Sequence, residues 1–213
     1  MKKNIVLFVL FILPIVAYLF FASGVNSFTK LPTITPKVAD FGNWKSLRGD
    51  VVRLDGKITV LGFSGTNLLA NRGNLFNLNQ KIYQRYHTFK DLQFVVLCPV
   101  GTEKDAQAVL DALKAFTDVK QWNFVFATPE EIANFYKQMQ LKSQLDSNYG
   151  TSNVFIFDKE RNLRGRKDKE EFKEGYNTFH PAELSNEMLD DFKILLYEYK
   201  AALKKNNNAT KQL

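Results

Sequence analysis

Ile58-Thr59-Val60-Leu61-Gly62-Phe63-Ser64, then Gly65-Thr66-Asn67, then a periodic run from Leu68 to Tyr86 form the stretch that decides the fold. The first seven residues read as a buried strand and the next three as a tight turn. The run that follows reads as a helix, with Leu68, Leu69, Leu75, Phe76, Leu78, Ile82 and Tyr86 on its apolar face. Gly73 weakens that helix by about 1 kcal/mol relative to alanine.

Downstream, the same alternation repeats. Leu92 to Leu97 reads as a buried strand ended by Cys98-Pro99. Glu103 to Phe116 reads as a helix with Thr102 as its N-cap and Ala106, Val109, Leu110, Leu113 and Phe116 as its buried stripe. Trp122 to Ala127 is a strand. Thr128-Pro129-Glu130-Glu131 opens a helix to about Leu141, with Thr128 as cap, Pro129 in the first position and acid in the first turn. Asn153 to Asp158 and Leu163 to Arg166 then form an antiparallel hairpin, and Pro181 to Lys205 is a long closing helix. Upstream, Asp55-Gly56 between Val51–Leu54 and Lys57–Val60 predicts a two-residue hairpin turn. This order predicts an α/β fold, a mixed sheet with helices on both faces, arranged as in the thioredoxin fold.

Before this domain, Lys2 and Lys3 precede an uncharged run from Ile5 to Ser23. At about 1.5 Å per residue it reaches roughly 28 Å, close to the ~30 Å of a bilayer's hydrocarbon core. The reading is a retained anchor over residues 4–23. A cleaved signal peptide, with Ala22-Ser23-Gly24 as a weak cleavage match, is the competing one. Basic residues at the very N-terminus put the rest of the chain on the outer side. The expected organisation is an anchor at 1–24, a Pro- and Thr-containing stalk at 25–40, a globular domain at 41–205 and a loose tail at 206–213.

The chain has 213 residues, 45% of them hydrophobic and 19 of them Phe, which excludes a disordered protein. Its net charge is +7, but acids are interleaved with the bases and no nucleic-acid motif is present, so no nucleic-acid partner is expected. One cysteine, Cys98, excludes an internal disulfide and any multi-cysteine metal cluster.

With these elements in order, the chain resembles the Sco/SenC family of membrane-anchored, thioredoxin-like copper proteins that help assemble cytochrome oxidase. The resemblance spans roughly Asp50 to Lys205. It rests on Asp55-Gly56-Lys57, the strand ending at Phe63, the helix to Tyr86, Thr128-Pro129-Glu130-Glu131-Ile132, and the hairpin Val154-Phe155-Ile156-Phe157-Asp158…Leu163-Arg164-Gly165. It implies a bacterial inner-membrane protein with a periplasmic domain and a protein partner in the respiratory apparatus. The family's C-x-x-x-C-P turn falls within Gly65 to Asn71, and its histidine falls at Gly150. All three ligands are absent, so neither copper binding nor thiol–disulfide exchange carries over.

The expectation is therefore a non-catalytic binding or assembly factor with no cofactor. Its candidate ligand edge comprises Ser64, Gly65, Thr66, Asn67, Cys98, Gly150 and His180. The alternative is a single-thiol redox or metal carrier using Cys98, which requires a depressed thiol pKa. A Cys98–His180 pair offers only two ligands, and His87 lies at the far end of the second core strand from Cys98. Asp190-Asp191 sits on the closing helix with Asp191 expected to face solvent.

Overall fold

The computed structural model describes residues 8, 10–16, 30–168 and 170–210, with side chains through Leu203. Most of the predicted anchor and the start of the stalk lie outside the described residues. Residues 10–16 are helical, and among the described residues no helix is long and apolar enough to cross a membrane.

The centre is the predicted β-α-β-α-β run. Strands β3 (Ile58–Ser64), β4 (Leu92–Pro99) and β5 (Trp122–Ala127) are parallel, with Ile58 opposite Leu92 and Phe94 opposite Trp122. Helix α1 (residues 72–86) joins β3 to β4, and α2 (Glu103–Lys114) joins β4 to β5. Successive right-handed crossovers in one direction put both helices on the same face. Helix α3 (Pro129–Gln138) then leads to β6 (Gly150–Phe157), which pairs antiparallel with the free side of β3. Strand β7 (Leu163–Arg164) pairs with β6, β1 (Thr33–Thr35) pairs with β7, and β2 (Lys45–Ser46) edges β5. A small ribbon, β8 (Lys167–Asp168) with β9 (Glu171–Phe172), stands apart, and β10 (Tyr176–Asn177) pairs with β6 opposite Val154.

The strands read as continuous apolar runs because both faces are covered. Val60, Phe94, Val96, Cys98, Phe124, Val154 and Ile156 pack under α1, α2 and the closing helix α4 (residues 181–210). Leu61, Phe63, Val95, Leu97, Val125, Phe155 and Phe157 alternate with them and pack under α3 and the segment from Val38 to Leu54. The sheet order reverses at β3: the chain advances to β4 and β5 on one side and returns as β6 on the other. The carboxyl end of β3 is thus the switch point where open α/β sheets place ligands.

Several local expectations are corrected. Val51 to Leu54 does not form a hairpin with β3, because β4 and β6 already occupy both edges of that strand. Val51 instead makes one isolated bridge to Lys45, while Gly56 keeps the positive φ of a turn, 76°. Helix α1 begins at Arg72, not Leu68, and its segments Arg72–Leu78, Asn79–Tyr83 and Gln84–Tyr86 are continuous, the middle one a π-helical turn. The wider turn puts Asn79 inside, where its Oδ1 accepts from Trp122 Nε1 at 3.4 Å. Thr102 does not cap α2; its hydroxyl donates to Pro99 O at 2.7 Å. Thr128 does cap α3, in a full capping box with Glu131. Helix α4 comprises Pro181–Glu183, a π turn at Leu184–Met188, and Leu189–Thr210, running past Lys205.

Asp191 does not face solvent. It is 2% exposed, accepts two hydrogen bonds from the Arg166 guanidinium (2.8 and 3.0 Å) and receives the Tyr176 hydroxyl. This ties α4 to β10 and to the strand connection. Desolvation, with Asp191 beside it, pushes the Tyr176 phenol far up, so it stays a donor.

Candidate functional site at the switch point

Two chain segments meet at the carboxyl end of β3. Ser64 lies opposite Gly150 in the β3–β6 ladder, and Thr66 N donates to Asn148 O at 3.0 Å. Gly65, at φ 63°, is packed so closely that an added Cβ would come within 2.7 Å of Asn148 O. A Cβ on Gly150 would lie 3.1 Å from Ser64 O. The loop before β6 is held by Asp146, whose Oδ1 accepts from Asn148 N (2.8 Å) and Gly150 N (2.9 Å). The sequence Asp146-Ser147-Asn148-Tyr149-Gly150 is an Asx-type turn readable in advance from its residue types.

Above this seam is a cavity of about 220 Å³. Leu68, Leu75, Val96 and Val154 give it an apolar floor, and Ser64, Asn71, Asn74, Asp146, Ser152 and Thr178 give it polar walls. Phe179, 61% exposed, stands at its side. The cavity exists because Gly62 brings no side chain to this face: a Cβ there would meet only Val154 Cγ1, at an ordinary 3.5 Å.

Of the seven candidate residues, Ser64, Gly65, Thr66 and Gly150 come together at the seam. Asn67 is exposed, and its backbone O accepts from Asn71 N at 3.2 Å. His180 is exposed at the start of α4 and does not line the cavity, although Thr178 and Phe179 beside it do. Cys98 lies at the carboxyl end of β4 beside Ser64, but it is fully buried under the helices, and desolvation pushes its thiol up to about 12, which a hydrogen bond with Ser64 only partly offsets. Such a group stays a neutral thiol at pH 7, the reverse of the depressed pKa a nucleophile needs. Sequence reasoning missed Gly62, Asn71, Asn74, Asp146, Ser152 and Thr178. Only Asp146 carried a local signal; the others are assembled by topology.

A copper ion of the kind the resemblance implies does not fit these residues. The walls offer hydroxyl, amide and carboxylate oxygens, whereas Cu(I) selects thiolate or thioether donors. Among the described residues no group of three His, Cys, Asp or Glu stands close enough to hold a metal.

No family model and no curated protein matches the chain. Solved structures do. A Bacteroides thetaiotaomicron protein described as a protein disulfide isomerase is 12% identical, with a TM-score of 0.53 over 79% of this chain and 95% of that one. BsSco, a member of the Sco family of cytochrome c oxidase assembly proteins, is 16% identical, with a TM-score of 0.51 over 76% and 92%. The fold is thioredoxin-like. An Aquifex aeolicus protein described as an electron transfer protein gives 17% identity and a TM-score of 0.52 over 78% and 92%. This divergent thioredoxin-like chain therefore keeps the framework its Sco and oxidoreductase neighbours share, with a seam and an oxygen-walled cavity at the switch point.

Proposed function

We propose that this protein is a membrane-anchored, Sco-like docking module that serves cytochrome oxidase biogenesis without copper or thiol chemistry of its own. Residues 4–23 hold it in a bacterial inner membrane, and its domain lies on the periplasmic side. The observation that carries this reading is the switch point itself. The position of each ligand expected by resemblance is occupied by a residue that cannot bind Cu(I), and two of the edge residues, Gly65 and Gly150, are packed backbone to backbone.

The surface around that point favours docking. Leu69, Val100, Tyr149 and Phe179 are exposed apolar side chains on the connections at this end of the sheet. Exposed apolar groups gathered on one edge are characteristic of a protein contact surface. The single-thiol alternative is disfavoured by the burial of Cys98.

Crosslinking the anchored protein in its own membranes tests the reading. The expected result is capture of an oxidase subunit or assembly protein, reduced when Phe179 is replaced by Asp. Capture unaffected by changes at Leu69, Val100, Tyr149 and Phe179 contradicts docking through this edge.

A further inference from the structure

We infer that the switch-point cavity is a receptor for a single lysine side chain of the docked partner. This inference rests on the docking reading above and names the group the edge recognises.

Size comes first. Drug-sized ligands occupy clefts of about 300–1,000 Å³; this cavity, about 220 Å³, suits one long side chain. Its existence depends on Gly62. A glycine inside a buried strand costs about 0.5–1 kcal/mol relative to alanine. Gly62 has no positive φ, and a Cβ at this position would meet no tight contact. Gly62 faces the irregularity in the β3–β6 ladder between Leu61 and Phe63, and the space above it stays open because it carries no side chain.

Polarity comes second. The floor of Leu68, Leu75, Val96 and Val154 suits an aliphatic stem. The walls are biased toward acceptors. The Ser64 hydroxyl donates to Gly65 O (3.0 Å) or Leu97 O (3.3 Å), leaving a lone pair beyond the one beside Cys98 for the cavity. The Thr178 hydroxyl likewise donates to Ser152 O at 2.6 Å. Among the described residues, Asp146, itself exposed at the rim, is the one charged residue lining the cavity, in a chain whose net charge is +7. Its Oδ1 is engaged with Asn148 N and Gly150 N, and its Oδ2 has no hydrogen-bond partner among the described residues. Asn71 and Asn74 add side-chain amides, whose oxygens can accept, from the start of α1. An apolar shaft rimmed by acceptors and one carboxylate matches an ammonium group on a four-carbon stem, which carries three donors and no acceptor.

The test uses the full-length, isotope-labelled protein in detergent micelles, titrated with acetyl-Ala-Lys-Ala-amide. Its controls are the norleucine and glutamate analogues and n-butylamine. Saturable NMR shifts are expected at the Asn71 and Asn74 side-chain amides and at the Gly62 and Ser152 backbone amides. The norleucine peptide should bind about fivefold more weakly, as expected from losing an ion pair to an exposed carboxylate. Asp146→Asn keeps the Oδ1 acceptor for the loop and should weaken the lysine peptide about fivefold while sparing the norleucine peptide. Gly62→Leu should abolish both, in a protein whose unfolding temperature shows it is folded.

Equal binding of lysine and norleucine peptides, or no shifts at these amides, overturns the inference. Butylamine binding as tightly as the peptide also overturns it, since the ligand would then be a free amine. The docking reading is separable: a partner still crosslinked by Gly62→Leu as well as by wild type removes the lysine receptor and leaves docking intact.

Discussion

The backbones of Gly65 and Gly150 are in direct contact: a Cβ on Gly150 would lie 3.2 Å from Gly65 Cα and from Gly65 N. The place where a histidine is expected by resemblance is therefore closed by main chain. Restoring that histidine as Gly150→His forces Ser64 and Gly65 to move. Overpacking of this kind costs about 1–3 kcal/mol. A urea midpoint lowered accordingly, with no gain in copper affinity, is the expected outcome. An unchanged midpoint would show that the seam is looser than its geometry.

Gly65→Ala tests the other side of the seam. An alanine at φ 63° carries a left-handed penalty of roughly 1–2 kcal/mol, and its methyl would meet Asn148 O at 2.7 Å. The loss should reach about 2 kcal/mol or more and should exceed that of Gly62→Ala, which has an ordinary strand φ and only an ordinary contact. Equal costs at the two glycines would contradict this ranking.

Cys98 should behave as a core side chain. In the native protein it should resist iodoacetamide at pH 7.5 and react at the free-thiol rate only after denaturation. Its pKa is raised by burial from 9.0 to about 12, so between these values the unfolded chain has lost a proton that the folded chain keeps. The contribution of Cys98 is fully present below about pH 9 and falls as pH rises toward 12, by about 1.4 kcal/mol per pH unit. Stability measured against Cys98→Ala over that range should show this slope. A flat difference, or rapid native alkylation, would revive the single-thiol reading.

Asp191→Ala should destabilise the protein by about 3 kcal/mol, because Arg166 and the buried Tyr176 hydroxyl lose their shared acceptor. Tyr176→Phe should cost less, since it removes the partner together with its demand. Chemical denaturation of both variants gives the comparison, and a larger loss for Tyr176→Phe would overturn the assignment of Asp191 as the hub.

The alternating core was legible because a two-sided sheet writes itself as apolar strands separated by amphipathic helices; β3, β4, β5 and the capping box at Thr128 followed from local chemistry. The false hairpin at Val51–Leu54 came from a sound turn signal at Asp55-Gly56, which was blind to β6 claiming the edge of β3. Asp191 was misplaced because helix periodicity does not reveal that Arg166 and Tyr176 arrive from the preceding connection. The cavity was hidden for a similar reason. Gly62, Asn74, Asp146 and Thr178 are far apart in sequence and share a site only after β6 returns to β3. The loss of the three expected ligands was plain in the sequence, whereas the closure of the seam at Gly150 emerges only when β6 meets β3.

Titration of the full-length protein with Cu(I) under reducing conditions, read by native mass and by competition with a chelator, tests the central claim most directly. A docking module with an oxygen-walled cavity and a buried thiol should show no stoichiometric, high-affinity copper. One tightly held Cu(I) per chain, lost in Cys98→Ala, would contradict the account.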